Sequence, residues 1–143
     1  MSKDWDNDWN SPVDEFTTPD PVTVAEDLPI DELKRLMEDH GVRHLPVVRD
    51  GRVVGLVSDR DVRLARGLSV EHQLQISTGD IMSTEPVAVR ADAPLDEVAL
   101  LMSERKIGSV IVNGEEGEFR GIFTLTDALN ALVEISRSAR RKC

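Results

Sequence analysis

Gly55-Leu56-Val57-Ser58-Asp59-Arg60-Asp61 and Gly121-Ile122-Phe123-Thr124-Leu125-Thr126-Asp127 share one pattern. A glycine opens a short apolar run, a hydroxyl residue closes it, and an aspartate follows three positions later. Gly55, Ser58 and Asp61 recur as Gly121, Thr124 and Asp127 at an offset of 66. Outward from these stretches the echo continues. Pro21-Val22-Thr23-Val24 returns as Pro86-Val87-Ala88-Val89, Pro29-Ile30-Asp31-Glu32 as Pro94-Leu95-Asp96-Glu97, and Met37 as Met102, all at an offset of 65. The offset grows by one between Val48 and Gly55. There Arg49-Asp50-Gly51 corresponds to a longer Gly114-Glu115-Glu116-Gly117 turn. Turns absorb such a change best, so the chain reads as one unit written twice.

Each copy reads as β-α-β-β-α. A short strand is expected near Val22–Val24. Asp27 or Asp92 then leads to a proline at the first helical position, where a missing N–H costs nothing. Ile30, Leu33, Leu36 and Met37 follow at helical spacing, as do Leu95, Val98, Leu101 and Met102. Gly41 is placed to end the first helix. Strands are expected at Leu45–Val48 and Val110–Val112, then at Val53–Val57 and Phe119–Phe123. Closing helices start near Asp59 and Leu125. The second runs to about Ser138, with Leu125, Ala128, Leu129, Leu132 and Ile135 on one face. The fold class is α+β, with repeats at 13–67 and 78–138 and a linker at 68–77. Residues 1–12 are acidic and carry Trp5 and Trp9 among Asp and Asn. They read as a disordered tail, or as a segment that docks on a partner. Residues 139–143 form a basic tail.

Composition narrows the function classes. Of 143 residues, 40% are apolar, enough for a core, and the formal net charge is −10. A nucleic-acid binder needs a cationic face to displace counterions from phosphates, so nucleic acid is not expected as a partner. Neither is an anionic membrane surface. A small anion in a local pocket remains open. Cys143 is the one cysteine, which leaves no disulfide framework or cysteine zinc site within a chain. The sequence opens Met-Ser-Lys-Asp-Trp-Asp without the apolar run of a signal peptide. No stretch is apolar for long enough to span a bilayer. A cytoplasmic location is expected.

The two junctions carry the chemistry. One reading is a capping box, in which the hydroxyl caps the helix and the aspartate reaches back. The other uses the same atoms for a ligand. A helix N-terminus offers N–H groups and partial positive charge to a phosphate, and a carboxylate accepts from two neighbouring ribose hydroxyls. The remaining candidates read as structural. His40 and His44 are separated by Gly41, which breaks their helix, and no third ligand lies near, so no metal is expected. His72 falls in the linker. Met37 and Met102 suit a core. Arg137, Arg140, Arg141 and Lys142 suit a helix C-terminus or an intersubunit contact with the acidic tail. No Ser-His-Asp or Cys-His set can be assembled, so an enzyme is not expected.

Each repeat resembles a CBS domain, and the pair resembles a Bateman module. The resemblance rests on Pro21–Val24, His44-Leu45-Pro46-Val47-Val48 and Gly55–Asp61 in the first copy. In the second it rests on Pro86–Val89, Ile107-Gly108-Ser109-Val110-Ile111-Val112 and Gly121–Asp127. Ile111 departs from the pattern where the first copy has Pro46, which should alter how a strand starts. The resemblance implies a pseudo-twofold pair with two clefts, each taking a ribose-binding aspartate from one repeat and an adenine wall from the other. By position, the preferred cleft holds Thr17, Val22, Val42, Arg43, His44, Ile122, Thr124, Thr126 and Asp127. The second holds Ser58, Arg60, Asp61, Met82, Val87, Ile107 and Gly108. Arg43, His44 and two hydroxyls favour the Asp127 cleft, because Ile107 and Gly108 bring no charge to the other. The implied function is regulatory binding of AMP, ADP, ATP or S-adenosylmethionine, with no cofactor required. The alternative is a ligand-free dimerisation module that recruits a partner. A homodimer through the CBS helices and an effector protein of unknown identity are the expected partners.

Overall fold

The computed structural model describes residues 8–142. It divides into two compact units. The central unit is Pro21–Pro86. The terminal unit joins the described residues up to Asp20 to those from Val87 onward.

In the central unit, α1 (Ile30–His40) leads to the antiparallel pair β2 (His44–Arg49) and β3 (Arg52–Ser58). Helix α2 (Asp59–Arg66), the short helices α3 (Val70–Gln75) and α4 (Thr78–Ile81), and β4 (Ser83–Thr84) follow. The sheet order is β2-β3-β4. Alternation along the strands sends Leu45, Val47 and Val57 into a core with Ile30, Leu33 and Met37 of α1 and Val62 and Ala65 of α2. Gly41 ends α1 in the left-handed region, with φ 63°, where a side chain would be strained. Lys106 takes the matching place with φ 55°.

In the terminal unit, a 3-10 turn at Val13–Phe16 precedes β1 (Thr18–Pro19). After the central unit come β5 (Ala88–Arg90), α5 (Leu95–Arg105), β6 (Ser109–Asn113), β7 (Phe119–Thr124) and α6 (Leu125–Lys142). The sheet order is β1-β7-β6-β5. Val110, Val112 and Phe123 pack on Leu95, Val98 and Met102 of α5 and Ala131 and Ile135 of α6. Thr18 and Ser83 are 65 positions apart, and they stand opposite Ile122 and Leu56, themselves 66 apart. Each repeat therefore gives its leading segment to the sheet of the other.

Several expectations are corrected. No strand forms at Val22–Val24; Val24 makes only an isolated parallel bridge to Val47. At the matching place β5 pairs with β6, and the Ile111 N–H donates to the Val87 carbonyl at 2.9 Å. Pro46 occupies the Ile111 position and has no N–H, so the first copy loses that bond and the strand with it. Pro29 and Pro94 are helix caps rather than first helical residues, a one-residue shift. The linker contains α3, started by Ser69, whose hydroxyl accepts from the His72 N–H. Residues 8–12 are not a disordered tail. The Leu95 N–H donates to the Ser11 carbonyl at 2.9 Å, and Trp9 packs against the terminal core. Trp5 lies outside the described residues. The basic segment at 139–142 continues α6.

Candidate functional site

Two strand-to-helix junctions, β3–α2 and β7–α6, are built alike. The Asp61 N–H donates to Ser58 Oγ at 3.2 Å, while Asp61 Oδ2 accepts from the Ser58 N–H at 2.9 Å and from its hydroxyl at 3.0 Å. Asp127 and Thr124 repeat this at 3.3, 2.9 and 3.1 Å. The capping box is therefore formed twice, worth about 1 kcal/mol each. It occupies Oδ2 alone, and an ionised carboxylate has about four acceptor positions. Cap and ligand need not compete.

The second oxygens differ. Asp127 Oδ1 accepts from the Thr18 hydroxyl at 3.2 Å. Asp61 Oδ1 has no hydrogen-bond donor among the described residues. Thr17 was the hydroxyl expected here, but it donates to the Val13 carbonyl at 2.8 Å. Thr18 is the residue on the carboxylate. Its repeat partner Ser83 also bears a hydroxyl, and that match is the signal that marks the position.

The helix N-termini are less open than expected. The Asp59 N–H donates to the Arg43 carbonyl at 2.8 Å, and the Leu125 N–H to the Gly108 carbonyl at 3.0 Å. With the aspartate N–H groups taken by the caps, only the Arg60 and Thr126 N–H groups of the opening residues lie outside these bonds. A phosphate cradle made of backbone alone is thereby reduced to one donor per junction.

Thr17, Ile122, Thr124, Thr126 and Asp127 of the preferred set fall in the terminal unit, as do Val87, Ile107 and Gly108 of the second set. Val22, Val42, Arg43 and His44, with Ser58, Arg60, Asp61 and Met82, fall in the central unit. Thr126 and Arg60 are exposed, and Ile122 is buried. His44 stands opposite Ser58 across the sheet. Burial lowers its pKa; Asp59 and Asp61 oppose this, and Arg43 adds to it. At neutral pH His44 is thus held towards its uncharged form, which weakens it as a phosphate partner. Ser109 occupies the matching position, opposite Thr124.

Gly55 and Gly121 let the exchanged segments approach. A Cβ on Gly121 would overlap the Thr18 carbonyl oxygen and come within 2.8 Å of Thr17 Cγ2. One on Gly55 would meet the Met82 thioether and stand 3.0 Å from the Ser83 carbonyl oxygen.

Helix pairs border a hollow in each unit. The one beside α1 and α2 measures about 540 Å³ and includes Lys34, Arg43, Asp59, Arg63 and Arg66. Its counterpart beside α5 and α6 measures about 410 Å³ and includes Ala99, Gly108 and Leu125 at the positions of Lys34, Arg43 and Asp59. Leu129 and Leu132 stand where Arg63 and Arg66 stand in the first copy, and both are exposed. The duplicated grooves have diverged: charged side chains dominate the first, whereas the second has Lys106 and Ser103 among apolar residues. Among the described residues no cluster of His, Cys, Asp or Glu is placed to hold a metal ion, and no helix is long and apolar enough to cross a membrane.

The sequence pattern of the CBS domain family matches residues 13–67 and 79–134. The chain is 33% identical to an inosine-5'-monophosphate dehydrogenase of Korarchaeum cryptofilum over 78% of its length, but spans 22% of that protein. It is 38% identical to YlbB of Bacillus subtilis, over 74% of this chain and 78% of the relative. CBSX2 in complex with AMP superposes with a TM-score of 0.77 at 27% identity, over 88% of this chain and 98% of the other. The CBS domain pair of MJ0100, in complex with 5'-methylthioadenosine and S-adenosyl-L-methionine, superposes with a TM-score of 0.77 at 26% identity, over 87% and 97%.

Proposed function

Because this chain belongs to the CBS domain family, we propose that it is a cytoplasmic regulatory module that binds an adenine nucleotide or adenosyl compound. What carries the reading is the division of labour on each junction carboxylate. Asp61 and Asp127 hold their caps through Oδ2, and Oδ1 keeps acceptor capacity for a ribose diol, at Asp127 alongside the Thr18 hydroxyl. The AMP of CBSX2 and the adenosyl ligands of MJ0100 support the ligand class. The Asp127 junction is the preferred site, because it gathers the hydroxyls of Thr18 and Thr124 around one carboxylate. Output passes to an effector protein when the ligand favours one of two conformations.

A thermal-shift series with AMP, ADP, ATP and S-adenosylmethionine tests this directly. A ligand at about 100 times its Kd stabilises the fold by about 2.7 kcal/mol. In calorimetric titration, Asp127→Ala should weaken binding by about one to two decades, the worth of a charge-assisted hydrogen bond. Asp61→Ala, which removes the same cap, should weaken it less. Equal losses would overturn the preference for Asp127. No stabilisation by any of the four compounds at millimolar concentration would overturn the ligand reading.

A second reading, a structural dimerisation module, is favoured by the stripe on α6. Leu125, Leu129, Leu132 and Val133 are all exposed, and the two central-unit arginines at the Leu129 and Leu132 positions bar the same packing there. The double change Leu129→Glu, Leu132→Glu should convert a dimer to a monomer in sedimentation velocity, whereas Arg63→Glu should not. An unchanged mass for the leucine variant would refute association through this face.

A further inference from the structure

Four cationic side chains and two carboxylates line the hollow beside α1 and α2, in a chain whose formal net charge is −10. Its counterpart beside α5 and α6 is built by the same duplicated helices and serves as an internal control. There Ala99, Gly108, Leu129 and Leu132 stand at the positions of Lys34, Arg43, Arg63 and Arg66, and Lys106 is the one cation of the lining. The helix pair therefore forms without these cations, so folding does not explain them. Nor do the local carboxylates neutralise them. Lys34 pairs with Glu38 at 3.7 Å and Arg63 with Asp59 at 3.8 Å, but both are exposed pairs, which contribute little in water. Arg43 is in no ion pair among the described residues. Its backbone is fixed, because its carbonyl accepts from the Asp59 N–H at 2.8 Å. Like charges gathered around one hollow repel one another, and an anion placed among them removes that cost. Met37, Val42 and Val62 supply an apolar lining, extended by the alkyl stems of the lysine and arginines. The volume of about 540 Å³ suits a small molecule.

We propose that this hollow is a second ligand site, for a small amphipathic organic anion with a carboxylate or phosphate head on an apolar body. The head meets the guanidinium groups of Arg43, Arg63 and Arg66, whose planar forks match either anion. The body covers Met37, Val42 and Val62. Neither Asp61 nor Asp127 lines the hollow, so the inference goes beyond the adenosyl reading and does not depend on it. Both halves of the ligand are needed: an inorganic anion leaves the apolar lining wet, and a neutral alcohol leaves the cations unmatched.

The test is calorimetric titration of the full chain with octyl phosphate, octanoate, octanol and inorganic phosphate. Octyl phosphate and octanoate should bind, and the other two about tenfold more weakly or worse, the worth of a charge-assisted contact. The double change Arg63→Gln, Arg66→Gln should weaken octyl phosphate by about one to two decades on the same basis and leave AMP binding unchanged, so this site and the adenosyl site are read apart. Arg63→Leu with Arg66→Leu, which installs the residues of the second copy, should give the same loss and serves if the glutamine pair fails to fold. No binding of octyl phosphate at millimolar concentration, or equal affinity in parent and arginine variants, overturns the inference. So does octanol binding as tightly as octyl phosphate. A dimer that Arg63→Glu dissociates in sedimentation velocity would place a second copy in the hollow and overturn it as well.

Discussion

Gly121→Val should destabilise the protein by about 3 kcal/mol, the upper range for overpacking at a close approach, and lower Tm by about 2–4 °C per kcal/mol at this chain length. The new side chain would collide with backbone, the Thr18 carbonyl oxygen, as well as with Thr17. Backbone paired in a sheet cannot swing aside as a side chain does. Strand β1 must then lift from β7, breaking the pairing of Thr18 with Ile122 and of Pro19 with Gly121. The Thr18 hydroxyl leaves Asp127 with it. Gly55→Val is the internal control. Its first obstacle is the end of the Met82 side chain, which is flexible, and the nearest backbone oxygen is 3.0 Å away. Its cost should be about half. Equal Tm losses in calorimetry would show that β1 is not locked by this contact.

Phe123→Ala should cost about 3–5 kcal/mol, as expected for removing a fully buried aromatic ring. Phe123 has no exposed surface and sits in the terminal core one residue before Thr124. The repeat places Val57 at the same position in the central core, and Val57→Ala removes only two methyl groups, for about 2 kcal/mol. Against a typical total of about 5–15 kcal/mol, the first change brings the terminal unit near its limit. Urea unfolding monitored by hydrogen exchange reads both. Loss of protection should begin in β6 and β7 for Phe123→Ala and in β2 and β3 for Val57→Ala. A smaller loss for Phe123→Ala than for Val57→Ala would overturn the ranking.

The architecture was legible because it was written twice: helical spacing from Ile30 to Met37 returned from Leu95 to Met102, and both closing helices began where the junction motif said. What was not legible depended on partners far along the chain. Val22–Val24 looks like Val87–Val89 until one asks which N–H meets it, and the answer lies in Pro46. Trp9 looked like part of a polar tail because its packing surface belongs to the second repeat. Helix α3 has no apolar stripe to read, and Leu74 on it is 80% exposed; its start is a local serine cap. At the site, the capping pairs could be read from a spacing of three. Thr18 could not, since neighbouring Thr17 carries the same group and only the strand register separates them. Nor does a spacing reveal that the Arg43 and Gly108 carbonyls consume N–H groups that a phosphate would otherwise find.

The exchanged segments also govern the order in which a growing chain can become structured on the ribosome. All of the central unit lies within Pro21–Pro86, so its sheet can close as soon as β4 emerges. The terminal unit cannot. Thr18 must wait for Ile122, 104 positions later, at an entropic cost that grows with the logarithm of that span. A nascent chain holding only the first repeat would lack the strand that borders β3. One holding only the second would lack the strand that borders β7, along with the Thr18 hydroxyl on Asp127. The Asp127 junction of the second copy is therefore completed later than the central unit, from segments that lie far apart in the sequence.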